Sequence, residues 1–109
     1  MNAVVSARST AGRLTAPGIP KVRRTFVVDL EHGLHARPCA MLVKAVGPYS
    51  VTVDVEANGE KASGKSILGL MALAAGAGTR ITFTIVGENA YQAMADVGRL
   101  FDNRFEAKA

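Results

Sequence analysis

Val51, Val53 and Val55 alternate with Thr52, Asp54 and Glu56 along the chain. A period of two predicts a strand buried on one face only. Arg80–Val86 (RITFTIV) repeats the pattern, and Arg24–Leu30 (RTFVVDL) is β-branched and aromatic enough for a first strand. Between these, Arg37–Val46 sets Met41, Leu42, Ala45 and Val46 at helical spacing, one buried stripe, and Gly47-Pro48 stops it. Glu31–Leu34, with Gly33, forms the turn before that helix. Asn58-Gly59 is a hairpin signal, so Glu60–Ser63 returns antiparallel. A short helix begins at Lys65-Ser66 with Ser66 as N-cap, runs through Leu73 and ends before Gly76 and Gly78. Glu88 or Asn89 opens a final helix with Ala90, Met94, Val97 and Phe101 inward and Phe105 at its frayed end. The order is β-α-β-β-α-β-α. Strands with one polar face imply an α+β fold: a two-layer open-faced sandwich, a four-stranded antiparallel sheet with three helices on one face.

The 109 residues suffice for one domain, and 49% hydrophobic content favours a packed core. The charge is uneven. Of 13 Lys and Arg, five (Arg8, Arg13, Lys21, Arg23, Arg24) precede the first acid, Asp29, leaving eight against nine acidic residues. The basicity thus belongs to the start of the chain, not to a nucleic-acid-binding face. The polar strand positions Thr52, Asp54, Glu56, Thr82 and Thr84 also lack the aromatics of a single-stranded nucleic-acid platform. Residues 1–22 read as a disordered basic extension without a secretory apolar region, and 23–109 as the domain. One cysteine excludes an intramolecular disulfide framework and a Cys-based zinc cluster. No metal site and no cofactor are expected. Gly76-Ala77-Gly78 lacks the Lys and Ser/Thr of a phosphate-binding loop. Ile67–Gly78 is too short and Gly-rich to cross a bilayer, so no membrane insertion is expected.

The chemistry concentrates in Gly33-Leu34-His35-Ala36-Arg37-Pro38. Pro38 is favoured in a first helical turn, where its missing N–H costs nothing. A helix starting there turns free amides and its positive dipole end toward His35, a receptor for an anion on the ring. Arg37 adds a planar donor fork suited to phosphate oxygens. The combination suggests a histidine that carries a phosphoryl group. Further on, Ile67, Leu68, Leu70, Met71 and Leu73 crowd about two helical turns. One helix face cannot bury them all, so part of this cluster should be an exposed docking patch.

From about Arg24 to Glu106 the chain resembles the histidine-containing phosphocarrier family, HPr, of the bacterial phosphoenolpyruvate–sugar phosphotransferase system. GLHARP is similar to that family's active-centre loop, and KSILGLMAL (Lys65–Leu73) to its regulatory-serine segment. Ser66 follows His35 by 31 residues, the family spacing. The resemblance implies a carrier without turnover of its own. His35 would accept phosphate on Nδ1 from Enzyme I and pass it to IIA domains of sugar permeases. Arg37 would stabilise the phosphate, with His32, Pro38 and Cys39 in the capping shell. Ser66 would be the target of an HPr kinase/phosphorylase, and Ile67, Leu68, Leu70 and Met71 would meet partners. A cytoplasmic monomer is implied. A regulatory paralogue, a binding module read through Ser66 with little sugar flux, keeps the same residues. Two positions depart from the family pattern. His32 replaces a small polar residue and, when charged, would repel a charged His35. Cys39 replaces Ala; it reads as a small buried hydrophobe, the alternative being a helix-start thiol activated by the dipole.

Overall fold

The computed structural model describes residues 18–106. Seven elements follow in the expected order: β1 Lys21–Val27, α1 Ala36–Val46, β2 Val51–Ala57, β3 Glu60–Ser63, α2 Ile67–Ala72, β4 Arg80–Gly87 and α3 Ala90–Asp102. The four strands form one antiparallel sheet in the order β1-β4-β2-β3. The last strand to be laid down therefore lies between the first two long ones. Its register places Ile85 beside Val53, Phe83 beside Val55 and Ile81 beside Phe26, all on the buried face. The helices cover this face. The other carries Thr52, Asp54, Glu56, Thr82 and Thr84, where Thr25 and Thr82 share a hydroxyl hydrogen bond of 2.8 Å.

All four phenylalanines meet in one cluster. Phe101 stacks on Phe26 at 4.3 Å between centroids and meets Phe83 and Phe105 edge-on at 5.9 and 4.9 Å. Such offset and edge contacts add to the area the rings bury. Phe105, expected at a frayed end, is instead fully buried. The chain turns back after α3 through Arg104 and Phe105, both with φ of 57°, and the Phe105 N–H bonds to the Leu100 carbonyl at 2.8 Å. That left-handed reversal satisfies the helix end and swings the ring under the core.

β1 begins at Lys21, paired with Val86, and the Gly87 N–H reaches the Pro20 carbonyl at 3.0 Å. The sheet thus takes in residues of the segment read as an extension, while residues 1–17 lie outside those described. At its other end β1 stops at Val27, yet Val28 still exchanges two hydrogen bonds with Gly78 and Thr79. The buried stripe of α1 is Pro38, Cys39, Leu42 and Val46. Met41 and Ala45, expected inside, are only half-buried. The helix opens one residue earlier than predicted, at Ala36, and turns the Cys39 side inward.

Candidate functional site

Leu30 to Arg37 forms the link between β1 and α1. Gly33 has φ of +68°, a conformation that suits a residue without Cβ. A Cβ there would lie 2.7 Å from the Ala75 carbonyl oxygen and 2.8 Å from the Gly76 Cα. The next residue, Leu34, is buried, and its N–H donates to that same Ala75 oxygen at 2.9 Å. The loop is thus pinned to the segment between α2 and β4. Its own turns close through Gly33 N–H to Leu30 and His35 N–H to Gly33, both 3.0 Å.

His35 is the N-cap of α1, with extended backbone (φ −91°, ψ −165°) and an exposed side chain that makes no capping bond. Ala36 and Arg37 follow in the first turn, and among the described residues neither N–H has a backbone partner. Pro38, in the same turn, has none to offer. These unpaired donors and the dipole make an anion seat beside an exposed imidazole. Arg37 is exposed, makes no salt bridge among the described residues, and rests on its own helix with Nη1 donating to Met41 Sδ at 3.3 Å. Its fork is free to turn toward the ring. His32 is also exposed, with its ring centroid 6.4 Å from that of His35.

Two residues of the expected capping shell take other roles. The Cys39 N–H bonds to the His35 carbonyl at 3.1 Å, as an interior helical amide should. Its thiol is fully buried and donates to Leu34 O at 3.5 Å. Burial pushes the thiol pKa up, opposite to the activated-thiol alternative. Pro38 is buried and has no N–H, so it shapes the turn without touching an anion. The free amides expected at the helix start fall on Ala36 and Arg37 rather than further along, because α1 opens at Ala36 and the Cys39 N–H is already paired.

α2 lies against α1. Ser66 caps it, with Oγ accepting from the Gly69 N–H at 2.9 Å, and Leu70 N–H bonds to the Ser66 carbonyl. Leu68 is 79% exposed, and Met71 and Ile67 are 40% and 39% exposed. Leu70 corrects the expected patch: at 1% exposure it belongs to the core. The helix has one inward face, and Leu70 and Leu73 take it. Two braces were not foreseen. The Asn58 side-chain amide donates to the carbonyls of Leu73 and Ala74 at 2.9 and 3.1 Å. That holds the end of α2 just before Ala75, the residue on which the His35 loop rests. The Lys65 ammonium donates to the Tyr49 carbonyl at 2.9 Å, joining the Ser66 cap to the end of α1. No sequence signal marks either contact, since each joins residues 15 or 16 positions apart. Among the described residues no group of three or more His, Cys, Asp or Glu could hold a metal ion, and no helix is long and apolar enough to cross a membrane.

A family model described as "PTS HPr component phosphorylation site" matches residues 22–103. Phosphocarrier protein HPr of Xylella fastidiosa is 39% identical over 80 residues, covering 73% of this chain and 90% of that protein. The Multiphosphoryl transfer protein of Haemophilus influenzae is 38% identical over 85 residues, 75% of this chain, which spans only 17% of that longer protein. Among solved structures, HPr-C-His from Thermoanaerobacter tengcongensis superposes with a TM-score of 0.74 at 27% identity, covering 81% of this chain and 99% of that one. The matched span runs from the first strand into the end of the last helix and includes both the His35 loop and the Ser66 cap. The chain therefore belongs to the HPr family of the phosphotransferase system, whose members are phosphoryl carriers rather than enzymes.

Proposed function

We propose that His35 accepts a phosphoryl group on Nδ1 from phosphorylated Enzyme I and passes it to a histidine of a IIA domain. In each transfer one P–N bond breaks as another forms, so the carrier needs no cofactor. The observation that carries this reading is an exposed imidazole at the N-cap of α1, followed by two unpaired amides and a free guanidinium. The amides and dipole stabilise the phosphate's negative charge, and Arg37 can close on it with two parallel hydrogen bonds. His32 is near enough to donate a further hydrogen bond to a phosphate on His35.

Partners dock on the exposed Ile67, Leu68 and Met71 beside this loop. HPr kinase/phosphorylase modifies Ser66, placing about −1.5 to −2 charge at the start of the helix that carries the patch. The helix start tolerates the charge; an apolar or acidic partner surface does not. In this reading the protein works as a monomer in the cytoplasm, without nucleic acid.

Incubation with phosphoenolpyruvate and Enzyme I, read by intact mass, tests the assignment. One phosphate should add, labile in acid and stable in base. It should survive in His32→Ala, form more slowly in Arg37→Lys, and vanish in His35→Ala. A persistent adduct in His35→Ala overturns it. Protein phosphorylated on Ser66 should gain the His35 phosphate more slowly; an equal rate removes the regulatory role.

A further inference from the structure

Arg37 and Met41 stand four residues apart on α1, the spacing at which side chains on one helix face meet. They do meet: Arg37 Nη1 donates to Met41 Sδ at 3.3 Å. A thioether is a weak acceptor, so the contact parks the guanidinium without fixing it. Met41 is half-buried. It packs against the core, yet its sulfur touches the exposed Arg37. The other methionines are placed differently. Met94 is 3% exposed and belongs to the core, Met71 lies in the exposed patch of α2, and Met1 is outside the described residues. Met41 thus brings an oxidisable sulfur against the side chain expected to close on a phosphate.

We propose that Met41 is an oxidation site that slows the carrier by holding Arg37 away from His35. The proposal rests on the reading that Arg37 closes on the His35 phosphate. The oxidant is of the peroxide class. A sulfur lone pair attacks one peroxide oxygen, the O–O bond breaks, an S–O bond forms and water leaves; the thioether loses two electrons and the peroxide gains them. The new oxygen cannot turn into the core without losing its hydration, so it faces the Arg37 side. There it is a far stronger acceptor than sulfur, on the atom that Arg37 already touches. The resulting charge-assisted bond keeps the donor fork on α1 instead of parking it loosely. Cys39, fully buried, does not compete for the oxidant. Methionine sulfoxide is reducible by dedicated reductases, so the effect is reversible.

Treating the full chain with hydrogen peroxide, in a Met71→Leu background that takes the patch sulfur out of the comparison, tests the site. Peptide mass mapping should show Met41 gaining one oxygen well before Met94. After peroxide is removed, phosphoryl uptake from phosphoenolpyruvate and Enzyme I should be about two- to tenfold slower than in the same protein untreated, the share of time one exposed hydrogen bond can withhold the guanidinium. Methionine sulfoxide reductase should restore the rate. Protein that also carries Met41→Leu should keep its own untreated rate. Protein that also carries Arg37→Ala should be slowed no further by oxidation, whereas a general disturbance of α1 would slow it too. The proposal is overturned if Met41 oxidises no faster than Met94, if uptake is unchanged once Met41 is oxidised, or if the slowing persists in Met41→Leu or Arg37→Ala. Slowing by Arg37→Ala with none by oxidation removes the switch alone. Native uptake in Arg37→Ala removes the phosphate role of Arg37 and the switch with it.

Discussion

Replacing Gly33 with alanine separates backbone strain from loop seating, because Gly59 supplies the control. Both glycines have positive φ, +68° and +76°. At Gly59 an added Cβ meets nothing within 4 Å; at Gly33 it meets Ala75 O at 2.7 Å and Gly76 Cα at 2.8 Å. Left-handed backbone costs an alanine about 1–2 kcal/mol at either position. At Gly33 the obstructing atoms are backbone, so no side-chain rotation relieves the overlap. The loop must lift off, and the Leu34–Ala75 hydrogen bond goes with it, adding about 0.5–1.5 kcal/mol. Gly59→Ala should therefore lower Tm by roughly 4–16 °C, and Gly33→Ala by roughly 2–12 °C more than Gly59→Ala, at about 4–8 °C per kcal/mol for a domain of this size. Calorimetry on the two variants reads the difference. At a temperature below both melting transitions, only Gly33→Ala should also slow phosphoryl uptake at His35. Equal melting points and equal uptake rates would refute the idea that the histidine loop is seated on Ala75.

Leu70→Ala should destabilise by about 2–5 kcal/mol in urea melts, and Leu68→Ala by no more than about 0.5 kcal/mol. Equal costs would contradict the inward and outward assignment of α2. Asn58→Asp keeps the side-chain shape but sets a carboxylate against the carbonyls of Leu73 and Ala74. A loss of about 1–3 kcal/mol is expected, with Asn58→Gly milder because it removes the donor without adding charge. The Cys39 thiol, its pKa raised by burial, should react slowly with iodoacetamide at neutral pH. The folded state holds this proton more tightly than the unfolded chain. The stabilisation is therefore complete below the ordinary thiol range and is lost as pH rises through the raised value. The stability advantage of the native chain over Cys39→Ala should shrink over that alkaline window; an advantage that grows with pH would reverse the sign.

The periodicity of the chain by itself determined the identity and order of the elements. Val51–Glu56 and Arg80–Val86 each have one side fit only for a core, and Asn58-Gly59 admits only a tight reversal. GLHARP and the Ser66 cap were legible for the same reason: each is local, a matter of which residues satisfy the start of a helix. Tertiary structure decided what depends on residues far apart. β4 enters between β1 and β2 because that register puts Ile81, Phe83 and Ile85 against both neighbours, and strand order is not written in any single strand's pattern. Leu70 and Leu68 are chemically equivalent, two positions apart on one helix. Only packing against the sheet makes one core and the other surface. Phe105 lies beyond the helical repeat, so its burial awaited the left-handed turn that brings it back to Phe101. The seat of the His35 loop is likewise a distant one. Gly33 touches Ala75, and Asn58 steadies the chain just before it, through backbone carbonyls that carry no side-chain signature in the sequence.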